Sequence, residues 1–313
     1  MMLARVADSL YWVGRYVERA EHFSRLSEVM LNATLDRTDA AVQAAQIARA
    51  AVGDPGAALT GTPMDLARAL ALDRENGGSV VMSLARAREN ARQVRDQITS
   101  ESWERLNLLY LRATSPRVGA AFNADPQGFL SEIITDLHLF KGAADATMSH
   151  GEGWRFMVVG VHLERALLIA RLLKVCFSEG YGTALDDPLS LVSVLRMACA
   201  LEPYLRVYTA DLNARFILEF LLFDEDFPRS IRFSTANMEQ QLSHLSRARD
   251  IGRGDPLRLA GRLNARLAYA DIEDIEGGGA GALLAAVEAE CKSIHEAMYE
   301  TFVAYPLEMR LPA

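Results

Sequence analysis

The sequence predicts an all-α protein, folded as a single large irregular bundle of about nine to eleven helices. Three observations lead to this prediction. Apolar residues recur at the three- and four-residue spacing of helices, the period-two alternation of strands is almost absent, and glycine-rich breaks separate the helical runs. No break is long or polar enough for an interdomain linker, so we expect residues 1–313 to form one domain.

The composition is that of a globular protein and argues against several classes of partner. Of the 313 residues, 50% are hydrophobic and 24% are charged. The net charge of -8 argues against a nucleic acid bound over a broad surface, because such binding needs a basic face. The most apolar stretch, residues 156–175, contains Glu164, Arg165 and Arg171, so no membrane span is expected. A signal-peptide layout is missing, and three scattered cysteines without a CxxC pair favour a reducing cytoplasm.

Several helix boundaries can be predicted from local chemistry. The spacing of small and apolar residues predicts a first helix over residues 3–34. Asp125-Pro126 and Asp187-Pro188 each place a capping carboxylate before a proline, and Ser79 and Ser100 are predicted to start two further helices. The predicted breaks are SHGEG (149–153), GYG (180–182), GRGDP (252–256) and GGGAG (277–281), and the predicted loops are GDPGAALTGTP (53–63) and ENGG (75–78).

A helical segment with a Glu-Arg pair occurs twice in the chain. VGRYVERAEHFSRLSEV (13–29) aligns without gaps with VGVHLERALLIARLLKV (159–175). Both copies have a Glu-Arg-Ala core, a glycine four residues before the Glu, and an arginine seven residues after it. This agreement favours a genuinely duplicated helix over the chance similarity of two amphipathic helices.

The two copies place their charges in different surroundings. In the first copy, Glu18 and Arg25 lie on one side of the helix, because seven residues make two turns. We expect this face to be wet, since it also holds Arg15, Glu21 and His22. In the second copy, Glu164 and Arg171 have the same spacing on a helix that is apolar nearly all round. Their neighbours there are Val161, Leu167 and Leu168.

An ionised carboxylate among apolar residues is costly unless it is paired and hydrogen-bonded. The natural partners of Glu164 are arginines of a facing helix, and the first copy offers Arg15, Arg19 and Arg25. Two interpretations stay open at this point. The charges form either a buried network that only fixes helix register, or a polar pocket that receives an amine and a carboxylate or phosphate. A third alternative is that the two helices never meet.

Four segments of the chain match a known family pattern. They are MLARVADSLYWVGRYVERAEHFSRL at the start, ARENARQVRDQITSESWERLN (85–107), WRFMVVGVHLERA (154–166) and LLFDEDFPRSIRF (221–233). Through these segments, which together cover most of the chain, it resembles the bacterial alpha-E domain proteins, a helical family named for a Glu-Arg motif. The family motif falls on Glu18-Arg19 and Glu164-Arg165. Members are typically encoded beside a circularly permuted ATP-grasp protein and a transglutaminase-like protease homologue, which implies work on an amide-linked peptide.

Two further segments supply candidate binding residues. Because ARENAR matches the family, Asn90 and Arg92 are candidates for the polar core, and the alternative is a solvated helix face with a Glu89–Arg92 pair. In FDEDFPRSIRF, Arg229 and Ser230 at a helix start make a candidate anion site. The alternative there is that the acidic residues only cap the helix.

The sequence offers little for metals, cofactors or nucleophilic catalysis. Neither the ExxH element of di-iron bundles nor HExxH occurs, and ligation by Glu18, His22, His162 and Glu164 would need all four to converge. GxxxxGK[ST] and GxSxG are also missing, so we expect no metal and no cofactor. Cys176 and Cys199 occupy apolar helical contexts, which favours buried inert thiols.

Three functional hypotheses follow. The first is a component of an ATP-grasp-associated system for amide bond formation or peptide modification, whose Glu/Arg core handles an amino-acid or peptide-like substrate. Its partners would be an ATP-grasp ligase-like protein and a transglutaminase-like protein. The second is a stand-alone amide-forming or transferring enzyme, with Glu18 or Glu164 as general base. The third is a noncatalytic scaffold. The candidate catalytic residues are Glu18 and Glu164, and the candidate substrate-binding residues are Arg15, Arg19, Arg25, Asn90, Arg92, Arg165, Arg171, Arg229 and Ser230.

Overall fold

The computed structural model describes residues 2–35, 39–52, 61–177, 187–209, 211–246, 254–273, 275 and 279–304. All regular structure in these ranges is helical, which confirms the predicted fold class. The fourteen helices are α1 (Ala4–Leu35), α2 (Asp39–Ala51), α3 (Pro63–Leu72), α4 (Val80–Gln93), α5 (Ser100–Ala113), α6 (Val118–Ala124), α7 (Pro126–Thr147), α8 (Glu152–Phe177), α9 (Pro188–Met197), α10 (Leu201–Val207), α11 (Ala214–Phe223), α12 (Ile231–Leu245), α13 (Pro256–Ala268) and α14 (Gly279–Phe302). The count exceeds the predicted nine to eleven, in part because α6 and α10 have only seven residues each, too few to show a periodic pattern.

The predicted helix starts are confirmed, with one shift. The side chains of Asp125, Asp187 and Ser79 each accept a hydrogen bond from a backbone N–H of the first helical turn. At α5 the cap is Thr99, whose hydroxyl accepts from the N–H of Ser102 at 3.3 Å, so the predicted Ser100 is the first helical residue.

The predicted breaks agree with the structure where it can be compared. ENGG forms the turn before α4, and SHGEG contains the connection between α7 and α8. The helices α13 and α14 begin within GRGDP and GGGAG. GYG, most of the loop at 53–63, and the first residues of GRGDP and GGGAG lie outside the described residues.

The two copies of the repeat, α1 and α8, pack against each other as a parallel pair. The backbone N–H of Met2 donates to Glu152 at 2.8 Å, and further along both helices Arg15 contacts Glu164 at 2.6 Å. Residues nearer the start of α1 thus contact residues nearer the start of α8, and later residues contact later ones, as in a parallel pair. This arrangement rules out the alternative in which the repeated helices never meet.

A glycine from each copy allows this close approach. A Cβ atom added at Gly14 would lie 2.0 Å from the carbonyl oxygen of Met157, and one at Gly160 would lie 2.1 Å from that of Tyr11. Such distances are impossible for a real side chain, so the backbones touch where the repeat has its glycine. Next to this crossing, the Glu-Arg pairs of the two copies face each other.

The helices around α1 and α8 have the same pattern of contacts in each half of the chain, so the duplication extends beyond the repeated helix. In α1–α7, α1 packs on α4 and α7, and α5 packs on α4 and α7. In α8–α14, α8 packs on α12 and α14, and α13 packs on α12 and α14. The turns before α4 and α12 also match, since the capping hydroxyls of Ser79 and Ser230 donate to the carbonyls of Asp73 and Asp224.

A membrane crossing has no candidate among the helices that the structure describes. None of them combines the necessary length with sufficient apolar character.

Candidate active site: a buried Glu/Arg core

The first charged centre surrounds two carboxylates of α1, Glu18 and Glu21, which are 1% and 0% exposed. Arg165 of α8 binds Glu18 in bidentate fashion, with Nε–Oε1 and Nη2–Oε2 distances of 2.8 and 2.9 Å. The ammonium of Lys141 from α7 lies 2.5 Å from Oε2 of each carboxylate. Arg229, in the turn before α12, also contacts both carboxylates. Three surrounding segments thus contribute cations to one pair of α1 carboxylates.

Two more groups complete the shell of Glu21. Arg25, one turn further along α1, donates from Nε to Oε1 of Glu21 at 3.0 Å. His138 of α7 lies 3.1 Å from the same oxygen and 3.1 Å from Nη2 of Arg25. Arg25 therefore pairs with Glu21, although the sequence pointed to its seven-residue spacing from Glu18.

The second charged centre is built around Glu164 of α8, which is 1% exposed. Arg15 and Arg19 of α1 each place Nε 2.6 Å from one of its oxygens. The hydroxyl of Tyr11 lies 3.5 Å from Nη1 of Arg15 and 2.9 Å from Nδ1 of His295 on α14. The two copies of the repeat thus exchange partners: Glu18 of α1 binds Arg165 of α8, and Glu164 of α8 binds Arg19 of α1.

Positive charge exceeds negative charge in this core. In its ion pairs, three carboxylates face six cations, which leaves three positive charges in excess within a chain of net charge -8. The carboxylates are Glu18, Glu21 and Glu164, and the cations are Arg15, Arg19, Arg25, Lys141, Arg165 and Arg229. Arg15 and Arg229 are buried and the other four cations are half-buried, and charge with little access to water is costly unless it is compensated, so a surplus of this kind favours the binding of an anion.

The cations hold the buried carboxylates ionised. Burial alone would raise the pKa of Glu18, but Arg165 and Lys141 outweigh it and hold that pKa far below its usual range. The pKa of Glu21 is lowered well below its usual value because Lys141 outweighs burial in the same way. Burial would raise the pKa of Glu164 as well, but the charges of Arg15 and Arg19 outweigh it, so this pKa is also lowered. A general base with a raised pKa therefore finds no support at Glu18 or Glu164.

Two histidines beside the core are neutral near pH 7. Burial, followed by the charge of Arg229, lowers the pKa of His22 to about 4. Burial, followed by the charge of Arg165, lowers the pKa of His162 to about 3. Neither contributes to a metal site, since no three His, Cys, Asp or Glu side chains converge as metal ligands within the described residues.

A cavity of about 500 Å³ opens beside the first centre, between α1, α7, α8 and α12. Lys141 and Arg165 belong both to the ion-pair core and to the cavity lining. Most of the remaining wall is apolar or aromatic, and its members include Phe140, Trp154, Met157, Val158, Val161 and Phe233. This volume lies within the range of small-molecule sites.

A second cavity, of about 430 Å³, lies between α1, α8 and α14. Arg15 of the second centre lines it together with Arg171, Lys292 and His295. Arg171 thus faces this cavity, and no ion pair joins it to Glu164 in the part of the chain that the structure describes. Cys291 also lines this cavity, and burial raises the pKa of its thiol to about 12.

The comparisons with known proteins identify a helical family whose description names a Glu-Arg motif. The family model Alpha-E, described as a predicted alpha-helical domain with a conserved ER motif, matches residues 2–303. The chain belongs to the Alpha-E family. Uncharacterized proteins from Mycobacterium bovis and Mycobacterium tuberculosis are 26% identical to it over alignments of 337 positions that include 96% of this chain. The chain spans only 37% of the length of these relatives. No solved structure matches it.

Seven of the eleven candidate residues from the sequence meet in the core of this Alpha-E fold. They are Glu18, Glu164, Arg15, Arg19, Arg25, Arg165 and Arg229. The expectation that the face with Arg15, Glu21 and His22 is wet is wrong, because these side chains are only 6%, 0% and 1% exposed. The helices α4, α7 and α8 pack against α1 and exclude water from that face.

Three other candidates lie elsewhere. Asn90 and Arg92 lie outside the polar core, as the alternative of a solvated helix face with a Glu89–Arg92 pair predicts. Arg92 is 55% exposed and pairs with Glu89 at 2.7 Å, and the Asn90 amide donates to the carbonyl of Arg86. The hydroxyl of Ser230 is used as the cap of α12, accepting from the N–H of Phe233 at 2.9 Å. The candidate anion site at the start of α12 is therefore not formed there, because Arg229 turns inward to the carboxylates, and the helix cap is Ser230 instead of one of the acidic residues.

Sequence reasoning missed Lys141 and the role of Glu21. Lys141 is one of only three lysines in the chain and lies within the apolar stretch LHLFKGAA. A lone lysine in such a stretch was the available signal, since a buried ammonium needs a carboxylate partner.

We predict that the protein loses stability as the pH falls from 7 to 5. The pKa values of His22 and His162 are lower in the folded state than the ordinary 6.5, so the unfolded state binds more protons in this interval. Each histidine then lowers the free energy of unfolding by about 2 kcal/mol at pH 5, and protonation of the buried carboxylates adds to this loss below about pH 4.5. Urea unfolding at pH 7, 6 and 5 measures the effect. A free energy of unfolding that stays constant over this range would contradict it.

Proposed function

We propose that this Alpha-E chain is the substrate-handling component of a cytoplasmic ATP-grasp-associated system for amide or peptide bond formation, or for peptide modification. The Glu/Arg core receives an amino-acid or peptide-like substrate through its anionic group. The ATP-grasp ligase-like protein supplies the activation chemistry, and a transglutaminase-like protein is a further partner.

The observation that carries this proposal is a surplus of positive charge beside a cavity, on cations that are buried or half-buried. Lys141 and Arg165 are shared between the ion-pair core and the 500 Å³ cavity, so their charge reaches a space that holds a small molecule. An anionic group of the substrate offsets part of that surplus when it binds. The partners follow from the resemblance, because family members are typically encoded beside these two proteins.

The ionised state of the carboxylates favours substrate handling over proton transfer. Glu18 and Glu164 have lowered pKa values and are enclosed by arginines, whereas a general base works best with a pKa near the ambient pH. A noncatalytic scaffold is the second candidate function. It is supported by the shell of Glu21, which four different side chains of the core contact.

Affinity purification of the tagged chain from its own host tests the proposed partnership. We expect an ATP-grasp protein to coelute in stoichiometric amount. Its absence under gentle conditions would contradict the proposal and favour a self-sufficient protein.

The variant Lys141→Met then separates substrate handling from a scaffold role, because it removes a cavity-lining charge from the core. We expect it to retain the partner but to lose product formation by the complex.

The matched control for that variant is Lys174→Met. Lys174 is 43% exposed and forms a partly exposed pair with Glu288 at 3.4 Å, away from the Glu18 centre. We expect this control to retain both the partner and product formation. If Lys141→Met weakens assembly while product formation per assembled complex stays normal, the chain is a scaffold.

A further inference from the structure

We propose that the 500 Å³ cavity binds an amino-acid residue with a hydrophobic side chain and a free carboxylate, either as a free amino acid or as the last residue of a peptide. This inference rests on the proposed function and adds to it the substrate class and the place of binding. The carboxylate binds at Lys141 and Arg165, and the side chain lies against the apolar wall.

Unused hydrogen-bond donors support the position of the carboxylate. An ammonium has three N–H donors, and Lys141 uses two of them on Glu18 and Glu21. A guanidinium has five, and Arg165 uses three of them, two on Glu18 and one on the carbonyl of Pro228. Both side chains line the cavity, so three donors on two cations have no protein acceptor within the described residues. A carboxylate accepts from such a set in charge-assisted hydrogen bonds.

The wall of the cavity supports a hydrophobic side chain. Phe140, Trp154 and Phe233 contribute aromatic rings, and Val158 and Val161 contribute aliphatic surface. A polar side chain placed against this wall would lose its hydrogen bonds to water without replacement. Burial of a leucine or phenylalanine side chain, by contrast, is favourable.

Two further polar groups of the lining fit the main chain of such a ligand. His162 is 8% exposed, and its Nδ1 is buried without a hydrogen-bond partner in the described part of the chain. A buried polar atom of this kind is normally satisfied, and because Nδ1 is closed to solvent here, the imidazole must turn toward the cavity for a polar group of the ligand to complete it. The carboxylate of Asp145 lines the cavity as well and is 70% exposed, so it can accept from the amine of a free amino acid.

Calorimetric titration of the purified chain with a ligand series tests the inference. The probes are phenylalanine, leucine, alanine, aspartate, phenylalaninamide, which lacks the carboxylate, and the tripeptide Gly-Gly-Phe. We expect phenylalanine or Gly-Gly-Phe to bind best, and which of them binds more tightly identifies the source of the residue. Alanine, aspartate and phenylalaninamide should bind about ten- to a hundredfold more weakly.

A pair of variants on α8 locates the site. Val158→Trp places an indole ring in the 500 Å³ cavity and narrows it, whereas Leu167→Trp does the same in the 430 Å³ cavity and is a matched control, because both positions are partly buried. We expect the first variant to lose binding at least tenfold and the second to retain it. Far-ultraviolet circular dichroism first establishes that both variants are folded, and the ligand series on the unmodified chain tests the inference independently of them.

The results that overturn the inference differ from those that overturn the proposed function. Equal binding of alanine, aspartate and phenylalanine, tight binding of phenylalaninamide, no binding at all, or loss of binding only in Leu167→Trp would each overturn the inference. If one of these binding results is found and an ATP-grasp protein nevertheless coelutes with the chain, the inference fails but the proposed partnership is retained. Selective binding of phenylalanine without that partner would overturn the partnership alone.

Discussion

Glu18→Gln should lower the free energy of unfolding by about 3–5 kcal/mol, because it removes the negative charge that Arg165, Lys141 and Arg229 share in a buried site. Glutamine keeps the shape of glutamate but loses the charge, and its amide NH2 group would face donors. The core already has more cations than carboxylates, so the substitution enlarges an existing imbalance. Urea unfolding followed by tryptophan fluorescence gives the free energy.

Glu89→Gln is the matched control for Glu18→Gln. Glu89 is also paired with an arginine on a helix, but its side chain is 46% exposed and Arg92 is 55% exposed. Exposed pairs contribute little, so we expect a change of no more than about 0.5 kcal/mol. If Glu18→Gln is as stable as the unmodified chain, or more stable, the ion pairs do not hold the core together. That outcome would indicate a site in which stability is sacrificed for activity.

Gly160→Ala should destabilise the protein by about 3 kcal/mol, since the new methyl group would lie 2.1 Å from the carbonyl oxygen of Tyr11. To avoid this clash α1 and α8 must move apart, and the Glu-Arg pairs beside the crossing move with them. Helix propensity alone would make the alanine variant more stable by about 1 kcal/mol, so a measured loss of stability must come from the clash. Thermal and urea unfolding both measure it.

Gly142→Ala provides the control for the glycine substitution. Gly142 lies in α7, and a Cβ atom added there has no neighbour within 4 Å. This variant should be more stable by about 0.5–1 kcal/mol, from helix propensity alone. If both glycine variants gain stability, the close crossing of the repeated helices is incorrect.

The fold class and the long helices could be predicted because their signals are local. Asp125 and Asp187 cap helices where the sequence places them, and α1 agrees with its predicted range to within one residue at each end. The duplication could be predicted only for α1 and α8, where side chains recur at the same positions. The turns before α4 and α12 share only an aspartate and a serine at the same spacing, Asp73 with Ser79 and Asp224 with Ser230. Two shared residues are too few to align these segments by sequence, and their correspondence becomes visible only in the packing of the helices.

The candidate site could be predicted in its residue types but not in its pairing. The repeat suggested that Glu164 needs arginines from the first copy, and Arg15 and Arg19 indeed bind it. That Arg165 binds Glu18 in return depends on the parallel crossing of α1 and α8, which no pattern within one helix encodes. The contribution of Lys141 depends on how α7 packs on α1, a contact between residues 120 or more positions apart.

A carbon-13 NMR titration of the glutamate carboxyl groups tests most directly whether the core is a permanently ionised binding site. The chain is labelled at the glutamate side-chain carboxyl carbon, and Glu18→Gln and Glu164→Gln assign the two signals. We predict that neither signal shifts with pH between 8 and 5, because the arginines keep both carboxylates ionised. A titration of either one with a midpoint between pH 5 and 8 would contradict the account and identify that glutamate as a general acid or base.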